Sequence, residues 1–164
     1  METHPTELHL FADGCCDPNS AQGGWAFVAY RDGVEIASDF GKVLQTTNNS
    51  TELIAVLKAA IWMNGTAPGA AAVIWSDSVY AVKGCNSWRH IWANNGWKKI
   101  VPQANARSRP NSNKALWKAV DLQLRQNPLL TVAWCKGHAG LVGNERADEL
   151  AQTGRLSNRH SERM

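Results

Sequence analysis

The chain has 164 residues, 44% apolar and 19% charged, with a net charge of +3. That gives room for one domain with a real core and little room for a second. No apolar run approaches the roughly 20 residues of a membrane span, and Met1-Glu2-Thr3-His4-Pro5 is not a secretory signal, so no membrane association and a cytoplasmic location are expected.

Residues 7–12 (ELHLFA) read as a short strand closing at Asp13-Gly14, followed by a turn rich in Cys, Asp, Pro, Asn and Ser. Residues 24–30 (GWAFVAY) are apolar on both faces, the pattern of a central strand covered on both sides. Arg31-Asp32-Gly33 supplies a hairpin turn, and residues 34–42 return antiparallel, completing a three-stranded meander. The period then changes. Leu53, Val56, Leu57, Ala60 and Ile61 recur at helical spacing over 50–64, with Asn49 or Ser50 as cap and a break at 65–69. Residues 72–76 (AVIWS) form a buried fourth strand ending at Asp77, and short helices fill 78–94, interrupted at Gly84. Residues 102–113 are polar and loop-like, and 114–125 are helical with Leu116, Val120 and Leu124 on one face. The last strand is 130–135 and the last helix 145–152; from Thr153 onward a frayed, arginine-bearing tail is expected. The order β-β-β-α-β-α-α-α-β-α describes an α/β domain over 1–152 with a mixed sheet and helices packed on it.

The four cysteines, Cys15, Cys16, Cys85 and Cys135, form no CxxC pair and read as free thiols. Charge is unevenly spread. Residues 79–120 hold no Asp or Glu but eight of the 17 basic residues, leaving nine against 14 acids elsewhere. Such a chain suits gripping a phosphate backbone in one place and holding cations in another.

Two acids, Asp13 and Asp77, follow predicted strands, Glu52 falls in the first turn of a mostly apolar helix, and Asp148 lies in the last helix. Singly, each reads as a cap or turn residue. Together, carboxylates gathered in one cleft repel one another unless protons or cations compensate. Mg²⁺ takes oxygen ligands of this kind, and two such ions roughly 4 Å apart can activate a water and stabilise a phosphodiester leaving group. The residues alone therefore reach a metal-dependent nuclease.

The segments Phe11-Ala12-Asp13-Gly14, Gly23-Gly24, Thr46-Thr47-Asn48-Asn49-Ser50-Thr51-Glu52-Leu53, Ser76-Asp77-Ser78, Trp134-Cys135-Lys136-Gly137-His138-Ala139-Gly140 and Gly143-Asn144-Glu145-Arg146-Ala147-Asp148-Glu149-Leu150-Ala151 resemble type 1 (bacterial-type) ribonuclease H, in that family's order. The resemblance covers nearly all of 8–151. It implies a ribonuclease H-like fold: a five-stranded mixed sheet, three strands antiparallel and two parallel, with helices on both faces. It also implies an endonuclease that cuts the RNA strand of RNA–DNA hybrids, leaving 5′-phosphate and 3′-hydroxyl ends. Asp13, Glu52, Asp77 and Asp148 look like the family's metal-binding carboxylates, holding two Mg²⁺ ions (Mn²⁺ is the alternative), and His138 like its loop histidine. Gly14, Cys16, Asn19, Asn48 and Asn49 match its contacts to the RNA minor groove and 2′-hydroxyls, groups that offer both donor and acceptor. Residues 86–99 resemble its basic protrusion, where Trp97, Lys98 and Lys99, beside Trp88, Arg89 and Trp92, would meet the DNA strand. Trp88 and Trp92, four apart, can equally pack a helix onto the core, and Trp92 is read that way.

Some positions depart from the family's pattern. Val79 replaces a frequent Gln, Leu141-Val142-Gly143 a more polar run, and Ser50 a frequent basic residue. None removes a metal ligand. With the first strand predicted from Glu7, no N-terminal hybrid-binding domain is expected, and the family implies a monomer without an obligate protein partner. Two rivals are another nuclease of the same fold, which lacks the Lys136–Gly140 loop motif, and a binding-only module, which has no use for four carboxylates.

Overall fold

A computed structural model describes residues 8–98 and 113–158. Strands β1 (Leu8–Asp17), β2 (Gln22–Arg31) and β3 (Val34–Val43) form the meander, and β4 (Ala72–Ser76) and β5 (Leu130–Trp134) complete a sheet of order β3-β2-β1-β4-β5. Pairing is antiparallel among the first three strands and parallel for β1–β4 and β4–β5, as the resemblance implied. Asp32 and Gly33 both have positive φ, 52° and 78°, the requirement of a two-residue hairpin turn that follows the strands' twist.

β2 is apolar on both faces because both faces are covered. Trp25, Phe27 and Ala29 join the larger core beneath helix α1 (Asn48–Thr66). Ala26 and Val28 pack instead against Ala147, Leu150 and Ala151 of α5 (Val142–Leu156). Helix α4 (Lys114–Gln126) turns Leu116, Trp117, Val120 and Leu124 into the α1 side.

Several boundaries differ from the sequence reading. β1 does not end at Ala12 but continues to Asp17, opposite Gln22. Asp13-Gly14 looked like a turn, yet Gly14 sits within the strand because α1 lies directly on it: a Cβ there would come within 2.4 Å of the Thr51 carbonyl carbon. Helix α1 is capped by Thr47, whose hydroxyl accepts from the Ser50 N–H at 3.1 Å, so Asn49 and Ser50 are inside the helix. Glu52 accordingly belongs to its second turn.

Gly84 does not interrupt the helical stretch. α2 (Val79–Lys83) passes through a π-helical turn (Gly84–Trp88) into α3 (Arg89–Asn94). The glycine is there to admit the Trp117 ring, which would stand 1.9 Å from a Cβ. Nor does the last helix fray at Thr153: α5 runs to Leu156, with Gly154 buried against the Gly41 backbone. The predicted loop at 102–113, apart from Asn113, lies outside the described residues.

Candidate active site

β1 pairs with β4 only from Leu8↔Ala72 to Ala12↔Ser76. Asp13 and Asp77 follow at the point where that parallel ladder stops, on neighbouring strands and in equivalent register. Asp13 is thus in mid-strand with respect to β2 but at a carboxyl edge with respect to β4, where ligands gather in sheets of this kind. The close approach of α1 at Gly14 drops Glu52 onto the same spot. One carboxylate oxygen from each of Asp13, Glu52 and Asp77 falls within 4.8 Å of the others.

Asp13 and Glu52 are 4% and 6% exposed. Burial first, and then the neighbouring acids, push both carboxyls far above the usual carboxylate range; the Gly14 backbone N–H pulls weakly the other way. Asp148, half-buried on α5, is outside the trio but within hydrogen-bonding reach of the Asp13 carboxyl. Glu52 Oε2 is buried with no hydrogen-bond partner. A buried oxygen without a partner, among like-charged carboxylates, fits a hard divalent cation better than any structural role. Among the described residues no His- or Cys-containing group of this kind is found, and Cys15, Cys85 and Cys135 are buried thiols whose ionisation is pushed up to about 11, 12 and 11.

His138 is exposed on the loop between β5 and α5, with φ 54°. Its backbone N–H donates to Asn144 Oδ1 at 3.4 Å, and Asn144 Nδ2 donates to Asp77 Oδ2 at 3.4 Å. Asn144 was not singled out from the sequence. Its signal was there: it is four residues before Asp148, hence on the same helix face. Glu145 is exposed in the first turn of α5, as a helix-start residue should be, and Arg146 pairs with Glu35 and Glu149.

The predicted RNA contacts cluster around the start of α1. Asn48 and Asn49 are exposed in its first turn, where backbone N–H groups lack intrahelical acceptors. The Thr46 N–H donates to the Ala21 carbonyl, and Cys16 Sγ to the Thr46 carbonyl at 3.4 Å, tying the turn that carries exposed Asn19 to this segment. Ser50 is also accounted for. Its hydroxyl donates to Asn113 Oδ1 at 2.7 Å, and Asn113 Nδ2 and Trp117 Nε1 both donate to the Tyr80 hydroxyl at 2.9 Å. A polar chain thus braces α1 against α2 and α4.

The basic protrusion divides. Lys98 is exposed, Trp97 is half-buried against the core with φ 65°, and Lys99 lies outside the described residues. Arg89 is not available to phosphate: its Nη1 is 2.7 Å from Asp121 Oδ1 and its side chain 13% exposed. Asp121 also binds Arg125, so Arg89 is a strut between α3 and α4. Trp92 is buried between Trp88 and Trp117, with ring centroids 5.9 and 5.3 Å away.

A sequence model of the RNase H family matches residues 5–155. A ribonuclease H of Neisseria meningitidis serogroup C is 38% identical over 149 residues, 91% of this chain and 95% of that protein. One from Rhizobium meliloti is 38% identical over 147 residues, covering 90% and 89%. The crystal structure of LC9-RNase H1, a type 1 RNase H with the type 2 active-site motif, superposes with a TM-score of 0.77 at 26% identity, covering 94% of this chain and 74% of that one.

Proposed function

The chain belongs to the RNase H family, and from that premise we propose that it is a metal-dependent endonuclease hydrolysing the RNA strand of RNA–DNA hybrids to 5′-phosphate and 3′-hydroxyl ends. The observation that carries this reading is the buried Asp13, Glu52 and Asp77 group, with an orphaned Glu52 oxygen, beside the exposed Asn48 and Asn49.

Asp13, Glu52, Asp77 and Asp148 are the residues that would hold two Mg²⁺ ions, with Mn²⁺ as substitute. When bound, the ions supply an activated water and neutralise charge at the leaving oxygen. Asp13, which belongs to the trio and also reaches Asp148, would serve both ions, Glu52 and Asp77 the leaving-group side, and Asp148 the water side. His138, at the exposed rim, carries a proton between solvent and the departing product.

Gly14, Cys16, Asn19, Asn48 and Asn49 face the RNA strand, where amides and backbone groups can both donate to and accept from a 2′-hydroxyl. Trp97, Lys98 and Lys99 meet the DNA strand. The four free cysteines suit a reducing cytoplasm. No helix among the described residues is long and apolar enough to cross a membrane.

The test is cleavage of an end-labelled RNA–DNA hybrid with Mg²⁺, alongside duplex RNA, duplex DNA and single-stranded RNA, with Asp13→Asn as control. Cutting confined to the hybrid's RNA strand and lost in the variant supports the reading. Hybrid binding without cutting turns it into a binding module, and cutting of duplex DNA assigns another substrate.

A further inference from the structure

The loop between β5 and α5 is fixed at both ends and touches the carboxylate cluster in between. At its start the Cys135 N–H donates to the Ser76 carbonyl at 3.0 Å, one residue before Asp77. At its end Gly143 lies against Phe11 of β1, whose ring would be 2.2 Å from a Cβ. Between these anchors two groups bear on Asp77. A Cβ on Gly137 would fall 2.5 Å from Asp77 Oδ2, so the loop backbone is in contact with that carboxylate. Asn144, 2% exposed, spends both ends of its amide there: Nδ2 on Asp77 Oδ2 and Oδ1 on the His138 N–H.

From this juxtaposition we propose that Asn144 is a positioning residue that registers the His138 loop to Asp77, so that the histidine and the metal-binding carboxylate are held in one frame. The inference rests on the reading that Asp77 binds metal and His138 handles a proton. Asparagine is the apt residue because one planar group donates on one side and accepts on the other. Aspartate would keep the acceptor for His138 and set an oxygen against Asp77; alanine would remove both contacts. Groups that orient a metal ligand in this way typically matter by 10–100-fold.

The experiment compares wild type with Asn144→Ala, Asn144→Asp, Gly137→Ala, His138→Ala, Asp77→Asn and the Asn144→Ala/His138→Ala double variant. Each is assayed for kcat and KM on the hybrid with Mg²⁺, at a temperature well below its own melting point. Exchange of the His138 amide proton is followed by NMR. For Asn144→Ala we expect kcat to fall about tenfold or more, KM to stay within about twofold, and the His138 amide to exchange faster. Asn144→Asp should retain amide protection yet lose kcat, since only the Asp77 contact is broken. Gly137→Ala, which leaves Asn144 in place, should lower kcat by pushing the loop off Asp77, and carries the test if Asn144→Ala does not fold.

Coupling is read from the double variant. If Asn144 acts through the loop, adding Asn144→Ala to His138→Ala costs less than the product of the two single losses. Fully multiplied losses, or wild-type kcat in both Asn144→Asp and Gly137→Ala, overturn the inference. Undiminished cleavage in Asp77→Asn and His138→Ala overturns the underlying site reading as well, whereas losses there with none at Asn144 overturn this inference alone.

Discussion

Gly14 and Thr51 are in backbone contact: a Cβ on Gly14 would stand 2.4 Å from the Thr51 carbonyl carbon and 2.6 Å from the Glu52 nitrogen. This approach is what brings a helix-borne glutamate to a strand-borne aspartate. Neither backbone can yield as a flexible side chain could. Gly14→Ala should therefore cost about 1–3 kcal/mol of stability. Because it lifts Glu52 from Asp13, it should also depress hybrid cleavage by about tenfold or more. Urea unfolding and a cleavage assay on the same preparation check both; wild-type values in each would falsify the close-packing account.

Asp13 and Glu52 give the metal-free protein a definite pH dependence. Both folded-state values are raised, by burial first, above their ordinary 3.8 and 4.5. The stability they allow is therefore fully present below those ordinary values and is lost as pH rises through the raised ones. Melting temperature in chelator should fall between pH 5 and pH 9, with Asp13→Asn showing a shallower fall. One kcal/mol corresponds to roughly 2–4 °C for a domain of this size. Mg²⁺ should stabilise most at the alkaline end, since its ligands must be deprotonated. Identical slopes in wild type and Asp13→Asn would remove Asp13 as the source.

Arg89 and Lys98 belong to one basic segment but should behave differently. Arg89→Ala leaves the buried Asp121, among the described residues, with Arg125 alone for charge compensation, and should cost about 3–5 kcal/mol, the usual penalty for breaking a buried pair. Lys98→Ala should leave stability unchanged and reduce the salt dependence of hybrid binding by about one unit of slope. Binding titrations at several salt concentrations, with thermal melts, separate the two. An Arg89→Ala protein of normal stability with a reduced slope would return Arg89 to the interface.

The Tyr80 hydroxyl accepts from two donors, Asn113 Nδ2 and Trp117 Nε1. Tyr80→Phe strands both, and the indole belongs to a residue 1% exposed. A loss of about 1–3 kcal/mol is expected. Weaker hybrid binding should accompany it, because Asn113 also holds Ser50 at the start of α1. Unfolding curves and hybrid affinity measured on Tyr80→Phe decide this; unchanged affinity would mean that α1 holds its place without the polar chain.

Much was legible from the chain itself. Periodicity separated strands from helices, since pleated and helical backbones repeat apolar positions at different intervals. β2's two-sided apolarity announced a doubly covered strand, and the order of motifs pointed to the family and to three acids, Asp13, Glu52 and Asp77, that the fold gathers in one place. What one dimension could not carry was any fact depending on what lies across a gap. Gly14 looked like a turn because its real partner, Thr51, is 37 residues away in sequence. Gly84 looked like a helix break because Trp117 is distant, and Arg89 looked like a phosphate ligand because Asp121 was not in view. Asn144 went unassigned because its worth comes from touching His138 and Asp77 together. Local pattern is written in the chain by backbone geometry; close approach, ion pairing and the sharing of one amide between two site residues exist only once distant segments have been packed against each other.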